Sequence, residues 1–292
     1  MLTLAAALVG AMCAQDLASR VDTVVERAPG TVTLFAKNLD TGKTFGVRPD
    51  ERVRTASTIK LPIMAALFQE AQAGRVKWTE MLKVSKDDKV SGSGILGEFT
   101  DGMQFPVRDL MHLMIVLSDN TATNVILDRI TAETVNRYMD RLGLKQTRSL
   151  RKVRGDGNQL KAPSGYSEAG KLEENKRFGL GVSTPREMVL LLEKIEKGEV
   201  VSKEASKEMI AVLKRQHYTE GIGRKLGNVP VASKSGALDA LRSDVGIVYH
   251  PKGRVAIAIT VDDMKKTDWS PDNAGHLIIS ELTGILLEEL TR

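Results

Sequence analysis

Strand-like stretches stand at the two ends of this sequence, and nearly everything between them has the period of helices. Thr31 to Lys37 and Lys43 to Val47 are apolar and β-rich, and the turn-forming run Asn38 to Gly42 joins them, so they predict a hairpin. Val231 to Gly236, Asp244 to Tyr249 and Arg254 to Val261 repeat the pattern late in the chain, with Pro251-Lys252-Gly253 as a turn. Between them, Leu61–Ala73, Val107–Leu117, Ala122–Ile130, Ala132–Leu142, Pro185–Lys197 and Lys203–Lys214 carry apolar residues at helical spacing. Asp16–Arg27 and Asn273–Leu290 predict helices at the ends. Thr184-Pro185 reads as a helix start, and Gly143 and Gly198 as left-handed helix stops. Strands drawn from both ends must close around the middle. The expected architecture is therefore α+β. Residues 16–56 and 218–292 form an α/β part, residues 57–217 a mainly helical part, and a site lies at the seam.

Composition narrows the function. With 292 residues, 42 % apolar and 27 % charged, the chain can bury a sizeable core, which excludes a disordered tail or a multi-span membrane protein. The net charge of +5 is spread out, with no dense basic block interleaved with aromatics, so no nucleic-acid partner is expected. Residues 1–14 form a short apolar run ending in small residues. It reads as a secretory signal, although basic residues do not precede it, and it is too short to span a membrane stably. The expected location is secreted or periplasmic. Cys13 is the only cysteine, and Met12 before it argues against a lipid anchor. Cleavage after Ala14 leaves no thiol for disulfide or zinc chemistry.

Three short motifs carry candidate chemistry. Ser57-Thr58-Ile59-Lys60 places a hydroxyl and an amine one helical turn apart, ahead of a run that buries the helix. Burial lowers a lysine's pKa, and a neutral amine can take the serine proton. The bland reading is chance, since Ser149-Leu150-Arg151-Lys152 has the same spacing in a charged stretch. Ser118-Asp119-Asn120 follows an apolar helix. It reads either as a helix end plus a new cap, or as a proton-relay hydroxyl plus an amide for a substrate carbonyl. Lys234-Ser235-Gly236 lies on a late strand. It is either an ordinary strand end or a cation and hydroxyl for a carboxylate, with a glycine permitting close approach.

Ser-x-x-Lys, Ser-Asp-Asn and Lys-Ser-Gly in this order resemble the set of the class A β-lactamases and penicillin-binding serine hydrolases, with Ser235 for the usual Thr. The resemblance implies a five-stranded antiparallel sheet flanked by helices, plus an all-helical subdomain. It implies Ser57 as acylated nucleophile, Lys60 as its base or relay partner, and Ser118 as proton donor to the leaving nitrogen. Asn120 would hold the substrate amide, and Lys234, Ser235 and Gly236 would lie along its carboxylate. The backbone N–H groups of Ser57 and Ala237 would form the oxyanion hole. Arg242 matches an arginine that reaches the same carboxylate. The substrate implied is a β-lactam or a peptidoglycan stem peptide ending in D-Ala-D-Ala, acted on by a monomer without cofactor.

One position departs from the pattern. The family's deacylating glutamate ends a run of the type Thr-Arg-x-x-Arg-x-Glu, and here Thr147 to Val153 ends in valine. No acid precedes Ser183-Thr184-Pro185 to pair with the loop arginine. The expectation is slow deacylation, as in a penicillin-binding protein or carboxypeptidase. The alternatives are an active β-lactamase with a relocated base, for which Glu174, Glu173, Glu168 and Asp156 are candidates, a non-catalytic module binding cell-wall peptide, and an esterase or amidase. Gly92 to Gly97 fits a dinucleotide-binding glycine pattern, but the charged stretch Lys83–Val90 precedes it where a strand is needed. His112, His217, His250 and His276 lack metal-ligand spacing, so no metal is expected.

Overall fold

The computed structural model describes residues 17–154 and 165–292. The signal-like run, Cys13 and Asp156 lie outside the described residues.

Helix α1 (residues 17–26) leads into strands β1 (Thr31–Asn38), β2 (Thr44–Val47) and the two-residue β3 (Val53–Arg54). A 3-10 turn, Ala56–Ile59, runs directly into α2 (Lys60–Gln72). A small hairpin, β4 (Met81–Lys83) and β5 (Gln104–Pro106), precedes α3 (Val107–Val116), α4 (Asn120–Ile130) and α5 (Ala132–Arg141). Then come β6 (Arg148–Ser149), α6 (Glu168–Lys171), a 3-10 turn over Glu173–Phe178, β7 (Gly181–Ser183), α7 (Pro185–Lys197) and α8 (Lys203–Leu213). The chain ends with β8 (Val231–Leu238), β9 (Leu241–His250), β10 (Gly253–Asp262) and α9 (Ala274–Leu290).

The main sheet has five strands in the order β2-β1-β10-β9-β8, all pairs antiparallel. β1 pairs along its whole length with β10, Thr31 opposite Asp262 and Asn38 opposite Val255. Strand alternation sends the two sides of the sheet to different cores. Val32, Leu34, Val248, Ile257 and Ile259 pack on α1 and α9. Phe35, Val245, Ile247 and Ala256 face α7 and the helical layer. α2 runs through that second core, buried from Lys60 to Phe68, because its sequence is apolar on every side. Sequence-derived caps stand where expected. Thr184 Oγ1 accepts from Glu187 N with Pro185 at the first turn, and Gly143 and Gly198 are left-handed.

The small sheet β3-β7-β6 ties the segment before Ser57 to the loop after α5. Thr55 N donates to Gly181 O, and Gly181 lies so close to Ile59 that a Cβ would meet its Cγ1 at 2.7 Å. The loop carrying Val153 is thereby fastened to the turn carrying Ser57.

Candidate active site

The three motifs converge where β8 meets the start of α2 and the α3–α4 junction. Ser57 is half-buried on the 3-10 turn, after Ala56, whose φ of +46° is costly for a non-glycine residue. Gly236 abuts this turn. A Cβ there would lie 2.8 Å from Thr55 O and 3.0 Å from Ser57 N, so only glycine lets the strand approach the nucleophile's backbone. β8 is an edge strand, and Ser235 and Ala237 remain half-buried on it.

Lys60 is fully buried one helical turn beyond Ser57. Its Nζ lies 2.5 Å from Ser118 O, 2.9 Å from Asn120 Oδ1 and 3.2 Å from Ser118 Oγ. Lys234, also fully buried, reaches the same hydroxyl from β8, with Nζ 3.0 Å from Ser118 Oγ and 2.7 Å from Ser235 O. Burial pushes Lys60 well below the usual lysine range, and the Lys234 charge adds to the shift, while Asp119 opposes it. Burial also lowers Lys234, to about 7, against the pull of Asp244. Lys60 Nζ is thus surrounded by three oxygens, Ser118 O, Ser118 Oγ and Asn120 Oδ1.

Ser118 takes φ +54°, a left-handed conformation that costs about 1–3 kcal/mol in a non-glycine residue. It is held there by its carbonyl, which accepts from Lys60 Nζ and from Ser93 Oγ at 3.0 Å. Asp119 caps α4 through Ala122 N and also accepts from Ile95 N and Leu96 N, at 2.7 and 2.8 Å. The cap reading of this motif holds, and the residue does more than cap. The glycine-rich run that resembled a dinucleotide site is the strap so fastened. At Gly94, φ +99°, a Cβ would collide with Asp119. Asn120 completes the wall, its Nδ2 donating to Ser91 O.

Asn124, one turn beyond Asn120, is a contributor that the motifs do not flag. Its Oδ1 accepts from Val153 N at 2.8 Å and its Nδ2 donates to Val153 O at 3.0 Å. This two-sided clamp holds Val153 against the helix that presents Asn120. An isolated asparagine mid-helix gives no sequence signal of such a role.

Other expected residues are placed differently. Arg242 is 1 % exposed. Its NH1 donates to Leu238 O and Leu241 O, its NH2 donates to Asp268 O, and Trp269 stacks on the guanidinium. Three backbone carbonyls take three of its five N–H donors, which ties the guanidinium to the β8–β9 turn and to Asp268. Glu173 and Glu174, the candidate bases, lie on the turn after α6. Both are exposed, Glu173 pairs with Lys176, and the turn buries Asn175 instead, which accepts from Arg52. Glu168 is 77 % exposed and pairs with Lys171. None is a carboxylate held in a dry wall. Among the described residues Arg151 has no acid partner and donates to Lys152 O.

His276 on α9 is neutral at ordinary pH. Burial, then the charges of Arg242 and Arg224, push it down to about 4. Its Nδ1 is buried without a partner. A histidine with a depressed folded pKa contributes stability above its unfolded value that is lost as pH falls toward the folded one. Unfolding free energy should therefore drop by up to about 3 kcal/mol between pH 6.5 and 4, less where solvent screens the ring. Denaturant titrations of the protein and of His276→Gln check this. The variant should lose less over that interval, and an identical loss in both counts against the assignment.

No helix among the described residues is long and apolar enough to cross a membrane, and no cluster of three metal-ligating side chains occurs among them. A family profile described as Beta-lactamase enzyme family matches residues 16–290. The chain belongs to this family. It is accordingly a serine hydrolase of the β-lactamase type, with the five-stranded antiparallel sheet and helices of that fold. A β-lactamase of Bacillus licheniformis is 27 % identical over 271 residues, which cover 91 % of this chain and 81 % of that one. The crystal structure of a β-lactamase from Sphaerobacter thermophilus superposes with TM-score 0.80 and 28 % identity, covering 94 % of this chain and 96 % of that one. The structure of PBP-A gives TM-score 0.78 and 27 % identity, with coverage of 94 % and 95 %. A leucine-to-glutamate variant of PBP-A, solved as its acyl-enzyme complex with penicillin G, gives the same score and identity.

Proposed function

We propose that this β-lactamase-family hydrolase acts as a penicillin-binding enzyme: Ser57 is acylated by β-lactams or by peptides ending in D-Ala-D-Ala, and the ester is released slowly. The clamped Val153 carries the reading. The segment that should present a water-activating acid presents an aliphatic side chain, and the exposed loop glutamates offer no replacement.

The placement of Lys60, Ser118 and Lys234 supports the following course of acylation. As Ser57 Oγ attacks the carbonyl, its proton goes to neutral Lys60, whose two remaining hydrogens stay on Ser118 O and Asn120 Oδ1. The N–H groups of Ser57 and Ala237 stabilise the oxyanion. Ser118 Oγ, between the two amines, hands a proton to the leaving nitrogen and is resupplied from Lys60. Lys234 and Ser235 hold the substrate carboxylate, and Asn120 the side-chain amide. Export to the cell exterior fits this substrate class and the signal-like residues 1–14.

Penicillin G mixed with the protein and followed by intact mass should leave an adduct on Ser57 that persists for many minutes. Rapid turnover of a chromogenic cephalosporin without an adduct would favour the active β-lactamase, and neither adduct nor turnover would favour a binding module.

A further inference from the structure

Five ionisable side chains among the described residues are buried to within 2 % exposure: Lys60 and Lys234, which the chemistry above uses, Asp119 and Arg242, whose hydrogen bonds are given above, and Asp244 on β9. In the β8–β9 ladder it stands opposite Ser235, so the two side chains share a face of the sheet. Lys234 projects from the other face toward Ser118. Asp244 Oδ2 accepts from Ile222 N at 2.9 Å, while Oδ1 is buried without a partner. Gly221 closes the pocket, for a Cβ there would lie 2.6 Å from Oδ2. A carboxylate boxed in this way, with one oxygen unbonded, is costly unless a neighbouring positive charge compensates it.

We propose that Asp244 is a positioning residue that keeps Lys234 as the charged amine at Ser118 and so leaves Lys60 as the neutral one. Both lysines point at one oxygen, Ser118 Oγ, and two ammonium ions there repel. The acid that favours a charged Lys60 is Asp119, whose carboxyl oxygens are spent on Ala122, Ile95 and Leu96 N–H groups. Asp244 favours a charged Lys234, and Lys234 in turn favours an ionised Asp244. With Lys60 neutral, the buried charges of Lys234 and Asp244 cancel. The other charged and titratable groups near Asp244 are Glu220, on the segment leading into the Ile222 turn, Arg224 on that turn, Arg242 on its own strand and His276 on α9. Glu220 opposes ionisation of Asp244. The two arginines are tied to backbone carbonyls and to Asp272, and His276 is neutral.

Burial lifts Asp244 to about 6, and Lys234 stands at about 7. Removing the carboxylate therefore lowers the Lys234 midpoint and moves the alkaline limit of carboxylate binding to lower pH. Asp244→Asn tests this, because a carboxamide keeps the shape and the bond from Ile222 N. Asp244→Ala serves if that variant does not fold by circular dichroism. NMR titration of Cε-13C-labelled lysine in the substrate-free protein should show the Lys234 midpoint falling by about one unit, a tenfold change in proton affinity. An unmoved midpoint overturns the proposal, whether or not the protein acylates. The role in substrate binding rests on the proposed function and is read separately. Penicillin G and its methyl ester are compared as acylating agents between pH 5 and 9. At pH 7.5 the variant should lose about tenfold of the preference for the free carboxylate, through weaker binding rather than a slower acylation step at saturation. An equal fall for both compounds at every pH marks a structural role and overturns it. Absence of any adduct in the unmodified protein defeats the proposed function and leaves the NMR result standing.

Discussion

Lys60→Ala is expected to slow acylation of Ser57 by penicillin G by about 10²–10⁴-fold, the range for loss of a positioned general base. The amine sits in the dry interior within reach of Ser118 and Asn120, one helical turn from Ser57. The fold should survive. Ser118 O keeps its bond from Ser93 Oγ, Asn120 keeps Ser91, and the truncation removes an amine that burial already disfavours in its charged form. The measurement is the growth of the adduct mass with time, alongside a thermal melt. A folded variant that acylates at the original rate would eliminate Lys60 as base and, with it, the chemistry assigned to Ser118.

Val153→Glu should shorten the life of the acyl-enzyme by about 10²-fold, the lower end of what a general base supplies, because the surrounding groups are not arranged for a carboxylate. Asn124 grips the backbone of residue 153 and not its side chain, so the exchange leaves the clamp intact. The new acid would stand on the segment that Asn124 fastens to the helix presenting Asn120. The adduct formed with penicillin G is timed by mass spectrometry in both proteins. An unchanged lifetime in a folded variant would mean that slow release has another cause.

The architecture was largely legible because its signals are periodic. Pro185–Lys197 coincides with the expected helix, and the five sheet strands lie within two or three residues of their apolar runs. The two- and three-residue strands β3 to β7 were not legible, since pieces that short have no period, and β3, β6 and β7 depend on Thr55 meeting Gly181 and Leu150 meeting Leu180 across the loop. In the site, the hydroxyls and amines were readable from motif spacing. The direction of Arg242 was not readable, because at a hairpin backbone carbonyls take up some of its donors. Asn124 and Asp244 were invisible because their roles come from backbone partners far away in sequence, Val153 and Ile222.

The pairing of β1 with β10 has a consequence for how the enzyme comes into being. A ribosome delivers the nucleophile early and Gly236, with its strand, only in the closing stretch. Until that stretch emerges, the central sheet cannot zip and Ser57 has no opposing edge. Chain order therefore completes the edge beside Ser57 last, and the long-range pairing of the sheet makes the fold slow to assemble.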